Sequence, residues 1–371
     1  MPPHLTIARE STDGNASHAD PIPAPKKKPS WRLLRTMAPP PSSGLSVTRQ
    51  AATMNECASP RMQWFLPEHA FLAAFGIALF GLRVVYQPVQ WHGTHDFTIR
   101  TSFCLMLALT AFAFLSRLPG ILTGTRGITT AALKEGGLAF HHWLPFVLCS
   151  VIYENLHDLT FLIRKETYDQ SLMGFDQWLF GMQPTLWVEK HLASPLLTDV
   201  MVLAYGIYFF LPAALLLAVY RRADHERFRT LSVSLLLVFL CGFLSYILVP
   251  AIGPRFWLRH AYAEPVLHGS FFKGNATEVF GRLEAVQRDC FPSLHTALSG
   301  VALYYAWRWR SNLPWGRLWA AVYLPLVLSV WASTIYLRHH WVADVFAGWL
   351  LVGLVVVVAP RAARLGAPRP R

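Results

Sequence analysis

From residue 67 onward the chain is built of apolar runs of about twenty residues, the length an α-helix needs to cross the hydrocarbon core of a bilayer. This feature constrains the fold more than any other. In lipid every backbone N–H and C=O must find its partner within the protein, and for a single apolar run the helix is the conformation that does so. Eight spans are expected, at roughly 67–87, 101–118, 138–163, 197–220, 230–250, 292–309, 316–337 and 340–360. Charged residues make up only 15% of the chain, against about 25% in soluble domains, and this agrees with a membrane protein. The expected fold is all-α: a polytopic membrane helix bundle with a six-helix catalytic core over 138–360, preceded by two extra N-terminal transmembrane helices within 61–137.

Residues 1–60 are rich in Pro, Ser, Thr and Ala, carry the run Lys26-Lys27-Lys28 and lack apolar periodicity. They read as a disordered basic tail, and not as a secretory signal, because no apolar core follows the charges at the usual distance. A second basic tail is expected over 361–371. The net charge of +12 does not indicate nucleic acid, because the basic residues sit between apolar runs and at the termini, where lipid headgroups are the natural partner. Five cysteines without CxxC spacing give neither a disulfide framework nor a structural zinc site.

The loops set an expected orientation. With the basic tail in the cytoplasm, the inner regions carry Arg117, Arg126, Lys134, Arg221, Arg222, Arg227, Arg229, Arg308, Arg310, Arg317, Arg361, Arg364, Arg369 and Arg371. The longer outer loops 88–100, 164–196 and 251–291 carry fewer basic residues, so the positive-inside bias puts both termini in the cytoplasm. Three segments then fall on the extracytoplasmic side: 251–291, Pro292–His295 and Arg338–Asp344. The stretch 164–196 mixes Phe175, Trp178, Leu179, Phe180 and Trp187 with Asp169, Asp176 and Glu189. It is too polar to span and is expected to lie in the interface as an amphipathic helix beside the path of a lipid substrate.

The tightest polar cluster is Arg338-His339-His340-Trp341-Val342-Ala343-Asp344. His340 and Asp344 are four apart, so on a helix they share a face, and a carboxylate on one ring nitrogen leaves the other free to attack. Polar residues at an interfacial helix end are the bland alternative. Pro292-Ser293-Leu294-His295 opens the sixth span, where Ser293 can donate to a phosphate oxygen and His295 can protonate a leaving oxygen; a capped helix with an interfacial His explains the same residues. Arg255, after Pro250-Ala-Ile-Gly253-Pro254, can clamp phosphate or simply snorkel. A zinc site of His339, His340 and His295 has poor ligand spacing. The polar residues Glu154, Asn155, His157 and Asp158 end the third span as functional candidates or as an interfacial anchor.

These residues resemble the three-part signature of the type 2 phosphatidic acid phosphatase superfamily. Its Pro-Ser-Gly-His motif is matched by Pro292-Ser293-Leu294-His295, and its Ser-Arg-x5-His-x3-Asp motif by Ser333, His340 and Asp344. Thr334 stands at the family Arg, Leu294 at the family Gly, and the first motif, Lys-x6-Arg-Pro, is not present. The pattern is closer to the branch that includes fungal inositol phosphorylceramide synthase and its bacterial relatives. That likeness extends to Tyr153-Glu154, to Asp176-x3-Phe180-Gly181-x2-Pro184 and to Tyr205.

The resemblance implies that His340 becomes a phosphohistidine, that Asp344 supports it and that His295 protonates the leaving group. Ser293, Arg338 and Arg255 are the expected phosphate-binding residues, and Glu154, Asp176 and Tyr205 the expected headgroup or acceptor pocket. The implied activity is lipid phosphotransfer from a phospholipid or polyprenyl phosphate, including inositol-phosphate or a similar headgroup. Hydrolysis of a lipid phosphate is the alternative, and a non-enzymatic transporter or lipid-binding protein is a third class. No cofactor and no metal are expected; membrane lipids are the expected partners.

Overall fold

The computed structural model describes residues 67–86, 128–154, 156–264, 266–271, 288–313 and 316–365. The expected tail 1–60, the expected span 101–118 and the end of the C-terminal tail lie outside the described residues. All described regular structure is helical, apart from one isolated bridge between Ala251 and Asp289. In chain order the helices are α1 (Pro67–Tyr86), α2 (Ile128–Glu154), α3 (Leu156–Ile163), α4 (Asp169–Phe180), α5 (Pro184–Leu192) and α6 (Pro195–Gly206). After a 3-10 turn (Ile207–Phe209) come α7 (Phe210–Arg221), α8 (His225–Leu248), α9 (Pro254–Trp257), α10 (Leu294–Arg308), α11 (Arg317–Tyr336) and α12 (Val342–Arg364).

Four of these stretches are long and apolar enough to cross a membrane: Pro195–Arg221, His225–Leu248, Arg317–Tyr336 and Val342–Arg364. The molecule is therefore an all-α polytopic membrane bundle, as its apolar runs predict. Three spans differ notably from the sequence reading: the third, expected at 138–163, corresponds to α2, which begins ten residues earlier at Ile128, and α3, and the other two differences fall at prolines. The last helix was expected to stop at 360, yet it runs through Pro360 to Arg364; inside a bundle a missing N–H is re-satisfied by neighbours, so the ring need not end the helix. The fourth span is broken by the 3-10 turn at 207–209. Pro212 cannot donate to the carbonyl four residues back, that of Tyr208, and its ring crowds that oxygen.

Alternating chain direction brings the C-terminal ends of α8 and α11 and the N-terminal ends of α6, α10 and α12 to one end of the bundle. The other end is tied by Arg229, whose guanidinium donates to the Leu365 carbonyl at 2.9 Å. At the site end, Tyr336 closes α11 against α6, its hydroxyl 2.9 Å from Thr198 Oγ1.

Helix α10 is the centre, packing on α7, α8, α11 and α12. Its fifteen residues rise about 22 Å, less than the ~30 Å hydrocarbon core. It is buried almost all round, through Thr296, Ala297, Leu298, Ser299, Gly300, Val301, Ala302, Tyr305 and Ala306. Small side chains permit this approach, since helices in lipid associate by close backbone packing. A Cβ at Gly300 would sit 2.8 Å from Val352 Cγ2, and one at Gly348 would sit 2.9 Å from both the Ser293 carbonyl oxygen and Thr296 Cβ. Gly348 of α12 thus lies directly under the turn that opens α10.

Gly348→Ala should therefore lower thermal stability in detergent, because the new methyl meets backbone that cannot swing away; overpacking of this kind costs about 1–3 kcal/mol. Gly353→Ala, on the same helix with nothing within 4 Å of the added Cβ, should be neutral or slightly stabilising. Equal melting temperatures for the two variants would show that α12 and α10 are not packed this closely.

Candidate active site

The candidate groups sit on turns at the end of the bundle, and backbone hydrogen bonds build those turns. Helix α11 stops at Tyr336, and the chain reverses through Arg338 at φ +65° before α12 starts at Val342. The Thr334 carbonyl accepts from both His339 N (2.9 Å) and His340 N (3.2 Å). Thr334, which stands where the resembling family has Arg, thus holds the turn through its main chain. Next to it, Gly253 at φ +82° packs where a Cβ would lie 2.6 Å from the His339 carbonyl oxygen, so the backbone approach itself requires glycine.

His340 is buried, and its two nitrogens face different partners. Nδ1 lies 2.9 Å from the Cys290 carbonyl oxygen and 3.4 Å from Asp344 Oδ2. Nε2 lies 3.2 Å from His295 Nδ1. A carbonyl only accepts, so Nδ1 carries the proton and Nε2 the lone pair. His295 Nδ1–H is then the donor in the contact between the two rings. Asp344 is near His340, as expected from the sequence, but for a different reason. His340 precedes α12 and is not on it. Asp344 occupies the first turn and reaches back, its Oδ2 accepting from Trp341 N at 2.8 Å.

Cys290 was not among the sequence candidates. Its Sγ lies 2.8 Å from Asp344 Oδ2, 3.2 Å from the His339 carbonyl oxygen and 3.6 Å from His340 Nδ1. Burial, followed by the Asp344 carboxylate, pushes this thiol well above its ordinary range, so it acts as an S–H donor. One donor atom each from Cys290, His340 and Asp344 lie within 4.8 Å of one another, a spacing that a metal could also use. A single cysteine two residues before a proline gives no sequence signal of this role, which depends on the fold of two turns.

His295 is half-buried on the first turn of α10 and is wedged by aromatic rings. Tyr205 and Tyr208 lie 4.3 Å and 4.0 Å from it between centroids, and Tyr205 also stacks on His339 at 4.5 Å. Tyr205, a predicted pocket residue, therefore does border the histidines. Tyr208 was missed and is brought there by the 3-10 turn. Ser293 caps α10, its Oγ accepting from Thr296 N at 3.3 Å and Thr296 Oγ1 at 3.1 Å. The Ser293 hydroxyl proton remains available for donation.

The other predicted residues occupy different settings. The Arg338 guanidinium donates to Glu189 Oε1 and to the Glu264 carbonyl, each at 2.8 Å, and lies 3.8 Å over the Tyr262 ring. Burial pulls its pKa below the ordinary value while Glu189 pulls it back up. It is thus held by protein groups, where a phosphate clamp was expected. Arg255 donates its backbone N–H to the Arg338 carbonyl at 2.8 Å. Asp176 is fully buried, accepting from Val342 N and Ala343 N at 2.9 Å each, a cap on α12 rather than a pocket wall. Burial pushes its carboxyl up to about 6 against those two donors. Asp169 accepts from Ile252 N (2.9 Å), Gly253 N (2.8 Å) and Trp341 Nε1 (3.0 Å). The side chains of Glu154, His157 and Asp158, and Asn155 altogether, lie outside the described residues.

Residues 170–358 match the model of the PAP2 superfamily. A phosphoinositol dihydroceramide synthase of Bacteroides thetaiotaomicron is 26% identical over 268 residues, covering 67% of this chain and 81% of that protein. No solved structure matches the chain.

If Cys290 orients His340 and Asp344, Cys290→Ala should lower kcat by roughly five-fold with KM unchanged, the worth of one hydrogen bond of about 1 kcal/mol, since a thiol is a weak donor even to a carboxylate. Cys290→Ser keeps a donor and should restore most of the loss. Equal rates for the Ser and Ala variants would show that the thiol only fills space.

Proposed function

Because the chain belongs to the PAP2 superfamily, we propose that it is a lipid phosphotransferase that moves a phosphate-bearing headgroup through a phosphohistidine on His340. The observation that carries this reading is the His340 ring, with Nδ1 fixed by the Cys290 carbonyl and Nε2 facing His295 Nδ1 at 3.2 Å. A donor phosphate would displace that contact. Nε2 then forms the bond to phosphorus, the bond from phosphorus to the lipid alcohol breaks, and His295, entering the step as imidazolium with both ring nitrogens protonated, gives one proton to the departing oxygen and is left neutral. In the second step His295 takes the proton of an acceptor hydroxyl as that oxygen attacks phosphorus and the N–P bond breaks. Asp344 offsets the positive charge that His340 gains. Ser293, Arg255 and the N-terminal end of α10 are the groups proposed to hold the phosphate oxygens. Arg338 would join them only by leaving Glu189.

The relative's name specifies a phosphoinositol headgroup and dihydroceramide. That likeness favours phosphoinositol, passed to a lipid hydroxyl, over hydrolysis of a lipid phosphate. The proposed route needs no cation, since histidine is the nucleophile and the thiol of Cys290 is a donor. His340→Ala should abolish headgroup transfer by three orders of magnitude or more, as loss of a covalent nucleophile does, while the protein still folds. Wild-type activity should survive excess EDTA. Thin-layer assay of labelled phosphatidylinositol with a ceramide acceptor reads both. Loss with EDTA and recovery with one metal would instead make His340, Cys290 and Asp344 its ligands.

The site is proposed to face away from the cytoplasm, with both termini inside, on the positive-inside distribution of Arg221, Arg222, Arg227, Arg229, Arg361 and Arg364. Single cysteines at positions 184 and 268 should then react with an impermeant maleimide added to intact cells, and one at 225 should not. The reverse pattern would put the chemistry in the cytoplasm.

A further inference from the structure

Helix α4 has three faces, set by its rotation of roughly 100° per residue. Asp169, Leu172 and Asp176 turn into the protein and are buried. Gln170, Gly174 and Gln177 make a polar face open to the surroundings. Between them Phe175, Trp178 and Leu179 form an apolar face, with Trp178 exposed at 77%. A water-bathed helix gains nothing from such a third face, and a spanning helix would not carry the polar one.

Position settles what covers the apolar face. Asp176 holds the first N–H groups of α12, and α12 is long and apolar enough to cross a membrane from that point, which would put α4 at the level where the bilayer begins. Its apolar face is continuous with the lipid-facing side of α12. Trp178 contacts Phe175 at 5.8 Å, Phe175 meets Phe346 of α12 at 6.3 Å, and Phe346 meets Trp349 at 5.0 Å. Below these, Leu350 and Leu354 stay exposed, as expected of a helix side that faces acyl chains. Aromatic side chains are the residues that favour this boundary.

We infer that α4 is a monolayer-docking element: acyl chains of the membrane, and of the lipid donor within it, pack on Phe175, Trp178 and Phe346, while the opposite face of α4 holds the turn that carries His340. Docking and catalysis share one rigid helix. Asp176 and Asp169 bond Val342, Ala343 and Trp341, the residues directly after His340. A donor whose tails lie against α4 would present its headgroup within reach of that turn. The donor part of this inference rests on the lipid phosphotransfer reading; the membrane seating of α4 does not.

Two measurements test it in proteoliposomes. A nitroxide at Trp178→Cys, with the native cysteines replaced by serine, should be more accessible to oxygen than to a water-soluble nickel relaxant. A label in the aqueous phase would overturn the seating. The second compares turnover of a long-chain donor in the bilayer with that of a short-chain, water-soluble donor bearing the same headgroup. Trp178→Glu should lower the long-to-short ratio at least ten-fold, and Trp178→Phe should leave it near wild type. A fall on both donors alike would mean only that the turn was disturbed, and would overturn the docking of donor chains. Wild-type protein inactive on both donors would refute phosphotransfer, with the label still deciding the seating.

Discussion

Carboxylates that accept backbone N–H groups hold the reactive end of this bundle together. In a chain with few charges, Asp169, Asp176 and Asp344 bind main-chain N–H groups of the turns around His340, and Glu189 and Asp199 bind those of the 263–271 loop. Hydrogen bonds to a charged group contribute about 1.5–3 kcal/mol each, more than the neutral bonds they replace. The reason for this arrangement is topological. His340, Cys290 and the Gly253 turn lie between helices, where no regular ladder satisfies the main chain, and buried N–H groups must find partners. A carboxylate from a neighbouring helix supplies two acceptors at once and fixes the turn's shape.

The same constraint explains how far the site was legible. His340, His295 and Asp344 converge as anticipated because alternating spans bring their segments to one end, a result that depends only on counting helices. The reason given for His340 and Asp344, a shared helix face, does not hold: the pair meets across a helix start, and Nδ1 finds a carbonyl oxygen closer than the carboxylate. No sequence pattern marks a main-chain carbonyl as a functional acceptor, so the part played by Cys290 had no signal. Asp176 was legible as important but not in kind. A carboxylate on an amphipathic helix looks alike whether it lines a pocket or caps the next span. The spacing of Asp169 and Asp176, two turns apart on one face, was the available sign that both point into the protein.

Packing and chemistry are coupled through α10. Its small side chains let α12 approach until Gly348 touches the Ser293 carbonyl, and this contact sets the depth at which His295 meets His340. A larger side chain on either helix would move His295 relative to His340 as well as cost stability. Proline adds a second coupling. By breaking the 195–221 span, Pro212 leaves a 3-10 turn that swings Tyr208 against His295, so a local backbone defect places an aromatic wall at the acid.

That wall bears on water against alcohol as the acceptor. His340 is buried, and the His295 ring that faces its Nε2 is flanked by Tyr205 and Tyr208, so two tyrosine rings border the contact between the histidines. Water is held in place by several hydrogen-bonding partners, and ring faces offer few. On the proposed phosphohistidine route an acceptor alcohol on a lipid would arrive differently: its chain would be anchored in the monolayer, and its hydroxyl would need only one partner, the His295 nitrogen left without a proton after the first step. Under that proposal, an environment that orders a lipid hydroxyl better than it orders water would favour transfer over hydrolysis without any added specificity for the acceptor.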